Sequence, residues 1–368
     1  MHDCLIIGGG VIGLSIAWEL ARHGVTSVVL EQGEFGRESS WAGAGMLPPG
    51  RVDTARTPEA LLRSHSHVLW PAWSAELREV TGIDNGFQRR GGLEIRMGGL
   101  SDELDDEIRS WQSVGVECQP LSSEAIHELE PELRTDLSAA YLLPEMGQVR
   151  NPRHIKALVA GCLVRGVTLI GGTPVTQLIR DGNRVVRVES PSGSFCAKEI
   201  VVAGGAWSER LLAQTGPAPW IRPMRGQIVL LNQLPNPLRR VINIGHRYLV
   251  PRGDGRVLVG STEEDVGYDR RTTAEGVAGL IELAMQVAPC LAKATIERSW
   301  GGLRPRSIDG LPYLGRQNGV ENLIVASGHF RAGLQLSPMT AVLVSELVRG
   351  VPTTIPLSGF QPDRVGSE

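Results

Sequence analysis

The sequence predicts an α/β (α+β mixed) fold in two parts, one organised around a βαβ core and the other around a large, mostly antiparallel sheet. Three observations carry this. Near the start, an apolar run leads directly into closely spaced glycines. The same strand–helix texture returns near residue 151 and again towards the C-terminus. Between residues 221 and 300 the pattern changes to longer, turn-linked strands.

The first part begins with Asp3 to Gly13, which reads D-C-L-I-I-G-G-G-V-I-G. Leu5, Ile6 and Ile7 form a strand, Gly8-x-Gly10-x-x-Gly13 opens a helix from Val11 to His23, and Val28-Val29-Leu30 forms a second strand closed by Glu31. This is a Rossmann-like dinucleotide site. Gly8 makes the tight turn, Gly10 lets a pyrophosphate approach the backbone, and Gly13 lets helix and strand pack closely. Val11 and Ile12, at the helix N-terminus, offer free N–H groups and the positive dipole end. A carboxylate at Glu31 can bond a ribose hydroxyl.

Ser39-Ser40-Trp41-Ala42-Gly43-Ala44-Gly45-Met46-Leu47 is too rich in small residues for ordinary core and reads as backbone placed against a ligand. Thr57-Pro58-Glu59 supplies a cap, a first-turn proline and an early acid for a helix reaching about Val80. Another helix follows Ser101, with Leu104, Ile108 and Trp111 on one face. A third begins at Ser122 and stops before Pro131, and a short strand covers 92–96. Asn151-Pro152 reads as a cap and proline opening a helix through Arg165. Strands then follow at 167–170, 175–179, 184–188 and 199–203. The sheet of the second part takes 227–231, 247–251 and 257–260. At the end, a strand at 323–326 meets the turn Gly328–Gly333 and a helix from about Ser337 to Arg349. This sets one domain at 1–46, 147–220 and 301–368, and a second at 47–146 and 221–300.

The bulk numbers exclude several classes. With 37 basic and 40 acidic residues the net charge is −3, which points to neither nucleic acid nor an anionic membrane. No apolar run reaches the length of a membrane helix. No basic leader precedes the first strand, so a secretory signal is not expected. Five scattered cysteines without a Cys-x-x-Cys read as reduced thiols in a cytoplasmic protein. His65-x-His67 falls on a helix, where such neighbours point apart, and no metal is expected.

Only one Gly-x-Gly-x-x-Gly is present, so the cofactor is either a nicotinamide bound once or a flavin that meets its oxidant in solution. The closing turn favours the flavin. Gly328 to Gly333 followed by a helix sets another dipole end where the negative charge of a reduced flavin could rest.

Several stretches resemble the D-amino-acid oxidase superfamily of FAD enzymes. These are the N-terminal fingerprint, Ser39-Ser40-x-Ala42-Gly43-Ala44-Gly45-Met46, Ala203-Gly204-Gly205-Ala206-Trp207 and Arg222-Pro223-x-Arg225-Gly226-Gln227. Tyr248-Leu249-Val250-Pro251-Arg252, Gly302-Leu303-Arg304-Pro305 and Gly328-His329-Phe330-Arg331-x-Gly333 complete the set. Within that superfamily the likeness is greatest to the glycine oxidases of the thiamine-biosynthesis type. It implies non-covalent FAD, a Rossmann-like FAD domain beside a sheet-walled substrate domain, a homo-oligomer, and oxidation of a small amine by O2.

Carried onto this sequence, the resemblance makes Arg304 the partner of the substrate carboxylate and Tyr248 the phenol beside it. Arg331 and His246 become neighbouring pocket positions, and Met46 lies near the ring with Ala44 and Gly45. The other cofactor positions it implies are Val175, Ala203, Gly204, Trp207, Gly328, His329, Ala332, Gly333 and Leu334, with Arg331 again. Relatives that attach flavin covalently use a cysteine near the C-terminal region, and this chain has none after Cys290.

An arginine fork suits a carboxylate because two parallel N–H donors fix orientation as well as position. Arg304, after Trp300-Gly301-Gly302-Leu303 and locked by Pro305, is a candidate for that fork; the structural alternatives are a salt bridge from Arg304 to a structural acid and a half-buried strand tyrosine at Tyr248. Arg222 and Arg225 are assigned no role, a surface position being open to both. Glu263 and Glu264 depart from the apolar residue that some relatives carry there. The expected reaction is oxidation of glycine, sarcosine or small D-amino acids. The alternatives are a dehydrogenase serving another acceptor and a flavin-binding subunit without turnover.

Overall fold

In the computed structural model, residues 2–98 and 102–364 are described, and the counts of elements refer to these. Strand β1 (His2–Ile7) is followed by α1 (Val11–Arg22) and β2 (Ser27–Leu30). A short helix, α2 (Ser39–Ala42), and β3 (Met46–Leu47) lead into the long helix α3 (Pro58–Thr81). Next come β4 (Gln88–Arg89), β5 (Gly92–Met97), α4 (Asp102–Ser113), β6 (Gln119–Pro120), α5 (Ser123–Leu129), β7 (Leu137–Leu143) and β8 (Gly147–Gln148). The chain then makes α6 (Asn151–Val164), β9 (Thr168–Ile170), β10 (Gln177–Asp181), β11 (Arg184–Ser190), β12 (Gly193–Phe195), β13 (Ala197–Val202) and α7 (Ser208–Leu212). β14 (Ile221–Asn232), β15 (Val241–Ile244), β16 (Arg247–Pro251), β17 (Arg256–Gly260), α8 (Ala274–Val287) and β18 (Thr295–Ser307) follow. The described chain ends with β19 (Tyr313–Arg316), β20 (Leu323–Ser327) and α9 (Gly333–Arg349).

Leu5 and Ile6 of β1 point to opposite faces and are both fully buried, the signature of a central parallel strand covered on two sides. Each such burial contributes roughly 1.5–3 kcal/mol. The first sheet runs β19-β20-β13-β1-β2-β9. Neighbours from β20 to β9 are parallel, and only β19 is reversed. From β1 the chain moves to β2 on one side, and later strands return on the other. The carboxyl ends of β1, β2 and β13 therefore open on a switch-point crevice. α1, α3, α6 and α9 contribute to the core on one face, with Trp18 and Phe360 fully buried there.

The second sheet runs β18-β14-β17-β16-β15-β5-β7-β6 and is antiparallel except where β15 meets β5. The fold is thus the mixed α/β arrangement expected, with a large, mostly antiparallel second sheet. β18 runs unbroken across residue 301, carrying this sheet to Ser307.

The structure differs from these expectations at four points. β10, β11 and β12 form a separate antiparallel sheet rather than βαβ strands, and β10 begins at Gln177, so Val175 precedes it. Helix α8 lies where only strands were expected. Thr273 Oγ1 caps it by accepting from Gly276 N–H at 3.2 Å, and Leu280, Leu283, Ala284 and Val287 give it one buried face. Asn151 is not a cap: Arg150 holds that place, and the Asn151 amide donates to Ser40 O at 2.8 Å. Finally, α9 starts at Gly333, four residues ahead of Ser337, with Pro338 inside it. The carbonyl that Pro338 cannot serve, Leu334 O, accepts instead from Ser337 Oγ at 2.8 Å.

Candidate active site

The glycine-rich turn obeys simple space rules. Gly8 has φ +111°, and a Cβ there would stand 2.4 Å from Ala203 O. A Cβ on Gly13 would stand 1.9 Å from Gly8 O, so α1 can lie against the end of β1 only if that residue is bare. Gly10 would meet nothing but Ser40 Oγ, at 3.1 Å. At the end of β2, the Glu31 carboxylate accepts from Gly9 N–H at 2.7 Å and Gly33 N–H at 2.9 Å. Burial pushes its carboxyl up, and those N–H groups offset the rise only in part.

Gly8, Gly10 and Glu31 line one end of a cavity of about 460 Å3 that runs from the ends of β1 and β2 to the face of the second sheet. The segment 39–46 forms its wall, and its carbonyls are held from behind. Ser40 O is tied to Asn151, Ala42 O accepts from Trp300 Nε1 at 3.0 Å, and Ala44 O from Arg252 Nη2 at 2.5 Å. Arg252 also donates to Gln148 Oε1 at 2.7 Å and is buried, which pulls its guanidinium down to about 10. Arg252 closes the Tyr248-Leu249-Val250-Pro251-Arg252 stretch, where nothing in the sequence gives it a role. The structure makes it the clamp on the Ala44 backbone.

The first N–H groups of α9 have no intrahelical acceptor, and no side chain caps them. Gly333, Leu334 and Gln335 of that turn line the cavity. The turn before it docks on β18: Phe330 holds φ +46°, a region bulky side chains rarely enter, while its N–H donates to Pro305 O at 2.9 Å. His329 is buried against Thr340 Oγ1 at 3.1 Å, and burial pushes its imidazole down to about 3, so it stays neutral.

At the other end, cross-strand register builds a row on one sheet face: Glu94, Asn243, Tyr248, Gly260, Ile228 and Trp300, on β5, β15, β16, β17, β14 and β18. Two glycines make room. A Cβ on Gly260 would stand 2.7 Å from Tyr248 Oη, and one on Gly226 would stand 2.2 Å from Arg304 Nη2. Gly226 therefore explains the Arg225-Gly226-Gln227 motif: the Arg304 guanidinium lies flat over it. Arg304 donates to Thr262 O at 3.1 Å and Ser261 Oγ at 2.5 Å, with Tyr248 beside it. Burial pulls this guanidinium below its ordinary value, and the nearby Tyr248 and Glu263 oppose that pull. Among the described residues Arg304 has no acid within 4.0 Å, so the reading as one half of a structural ion pair fails.

Glu94 is buried and accepts from Asn243 Nδ2 at 2.7 Å. Burial pushes its carboxyl up to about 8, Glu107 adding to the rise while Asn243 and Arg96 oppose it. Between its ordinary value of 4.5 and about 8 the folded chain keeps a proton that the unfolded chain releases. Stability from this group is therefore present below pH 4.5 and lost as pH rises towards 8. Glu94→Gln should gain Tm relative to the parent progressively across that interval in thermal denaturation. A constant difference would show that Glu94 titrates normally.

Of the positions expected at the cofactor, Gly8, Gly10, Val11, Ile12, Glu31, Ser39, Ser40, Ala44, Gly45 and Met46 line the cavity. So do Val175, Ala203, Gly204, Trp207, His329, Arg331, Gly333 and Leu334, together with His246, Tyr248 and Arg304 of the expected substrate pocket. Three lie off the lining. Gly13 faces Gly8 O, Gly328 (φ +79°) packs on Tyr313 and Ser307, and Ala332 is the residue capping α9. Ser40 Oγ accepts from Val11 N–H at 2.9 Å. Arg225 is buried, donating to Glu264 Oε2 at 3.0 Å and Arg271 O at 3.0 Å, whereas Arg222 is exposed. Glu264 thus anchors β14 and Glu263 meets Arg331.

A bare backbone approach at Gly10, a carboxylate at the end of β2 and a helix end without a side-chain cap on one cavity fit a flavin dinucleotide, the cofactor of the FAD-dependent oxidoreductases. The family profile described as DAO, FAD dependent oxidoreductase, matches residues 3–347, and the chain belongs to that family. It is 36% identical to a glycine oxidase of Geobacillus kaustophilus, over 99% of this chain and 97% of the other. The crystal structure of glycine oxidase from Geobacillus kaustophilus superposes with a TM-score of 0.94 at 34% identity, covering 100% of this chain and 99% of that one. A bifunctional protein ThiO/ThiG of Synechocystis is 34% identical over 98% of this chain, which spans 54% of that protein. No helix among the described residues is long and apolar enough to cross a membrane.

Proposed function

We propose that this protein oxidises glycine, and with it sarcosine and small D-amino acids, using O2. Glycine, O2 and water give glyoxylate, ammonia and hydrogen peroxide by way of the imine. The observation that carries the reading is Arg304, a cation whose partners are neutral, next to Tyr248 in the same cavity that the glycine-rich turn lines. Likeness to the glycine oxidases supports the substrate. Likeness to the bifunctional ThiO/ThiG protein supports a role for the imine in thiamine thiazole synthesis.

FAD held in this cavity would supply a two-electron acceptor that O2 can reoxidise. The protein's own work is placement. Arg304 receives the carboxylate in its fork, Tyr248 steadies it, and the methylene carbon is left towards the cofactor end. The 39–46 wall, fixed by Arg252, Asn151 and Trp300, shapes that space and limits water. Among the described residues no cysteine lines the cavity, which supports a non-covalent cofactor. The enzyme on this reading is a cytoplasmic homo-oligomer; sedimentation of the holoenzyme reports its assembly.

A peroxide-coupled assay over a panel of small amines tests the reaction, with glycine among the best substrates. Turnover that needs a quinone and yields no peroxide would overturn the oxidase assignment. Tyr248→Phe should keep its flavin and raise KM about 2- to 10-fold, the scale of one hydrogen bond. A flavin-free Tyr248→Phe protein would make the phenol structural.

A further inference from the structure

We propose that Glu263 is a specificity-determining residue: by pairing with Arg331 at the rim, it reserves the substrate end for amino acids with one carboxylate and turns away those with a second. This rests on Arg304 as the anchor of the first carboxylate.

Two guanidinium groups, Arg304 and Arg331, line the substrate end of the cavity. They are provided for differently. Arg304 meets only neutral acceptors, Thr262 O and Ser261 Oγ, and keeps its charge available. Arg331 donates from Nε to Glu263 Oε2 at 2.9 Å and from Nη2 to the same oxygen, while Nη1 lies 3.1 Å from His246 Nδ1. Its fork is filled and its charge cancelled. Burial pushes the Glu263 carboxyl upward, but Arg331, with Arg304 and Arg306 beyond it, more than offsets this, so the acid is ionised.

Two uncompensated arginines would make a dicarboxylate site, one planar fork for each acid. Glu263 abolishes the second. A substrate with an acidic arm on nitrogen or on its side chain would have to displace a carboxylate already seated on Arg331, or lie beside it with like charge. A neutral methyl arm meets no such cost. The pair is partly exposed, Arg331 at 38% and Glu263 at 30% of the side chain, which moderates the discrimination.

Matched pairs isolate the second carboxylate. Sarcosine and iminodiacetate differ only in it, and so do their non-oxidisable oxygen counterparts, methoxyacetate and diglycolate, whose binding to holoenzyme is read from the absorption of the bound flavin. Any general gain in anion affinity in Glu263→Gln cancels in the ratio. The ratio of diglycolate to methoxyacetate affinity, and of iminodiacetate to sarcosine kcat/KM, should rise at least about tenfold in Glu263→Gln. It should return to the parent value in Glu263→Gln/Arg331→Met. Ratios unchanged within about twofold, no diglycolate binding by Glu263→Gln, or a gain that survives Arg331→Met would each overturn the proposal. A parent enzyme that oxidised none of these amines would sink the proposed function instead, and the ether pair would still read the rim.

Discussion

Arg304→Ala lowers kcat/KM for glycine by about 30-fold to several thousand-fold, with the loss falling first on KM and the flavin still bound. The range follows from the roughly 2–5 kcal/mol lost when one partner of a desolvated charge pair is truncated. Arg304 lies flat over Gly226, a position that would stand 2.2 Å from a Cβ, and it spends its donors on Ser261 and Thr262 rather than on an acid. Removing it leaves no structural carboxylate stranded, so the variant should fold, and steady-state kinetics isolates the binding role. Arg304→Lys should recover part of the loss, because a point charge keeps attraction but lacks the fork. An unchanged KM in Arg304→Ala would remove the residue from its role.

Gly13→Ala has the other large effect, and it falls on the holoprotein rather than on kinetics. The added Cβ would stand 1.9 Å from Gly8 O and 3.2 Å from Ile6 Cγ2, against backbone on one side and a fully buried strand on the other. α1 must then move off β1. That shift displaces the N–H groups that face the cavity and opens a core around Leu14 and Trp18. Overpacking of this kind costs ~1–3 kcal/mol or more, so the expected product is a poorly soluble protein purified without flavin. Gly10→Ala is the useful contrast. Its Cβ meets only Ser40 Oγ at 3.1 Å, so the chain should fold while FAD affinity falls. Gly13→Ala with normal flavin content and melting temperature would refute this account of the turn.

What was legible in the sequence is what short-range chemistry dictates. Gly8, Gly10, Gly13 and Glu31 are set by a single βαβ unit, and small residues at 39–46 mark backbone pressed against a ligand. The partners that fix that wall, Asn151, Arg252 and Trp300, come from distant elements, and no local pattern announces them. Asn151-Pro152 imitates a cap, yet the amide is needed at Ser40 O. Ser337-Pro338 imitates a helix start, yet Ser337 Oγ serves the carbonyl that the proline leaves free. Helix α8 could have been read, since Thr273 caps it and Leu280, Leu283, Ala284 and Val287 keep helical spacing. Glu263 was visible as a departure, but its meaning depended on Arg331, which is far along the chain.

A crystal structure of the holoenzyme soaked with glycolate tests the central claim most directly. The account predicts the glycolate carboxylate in the fork of Arg304, the Tyr248 phenol beside it and the ligand's carbon turned towards the flavin ring. Glycolate bound elsewhere, with Arg304 still held only by Ser261 and Thr262, would contradict it.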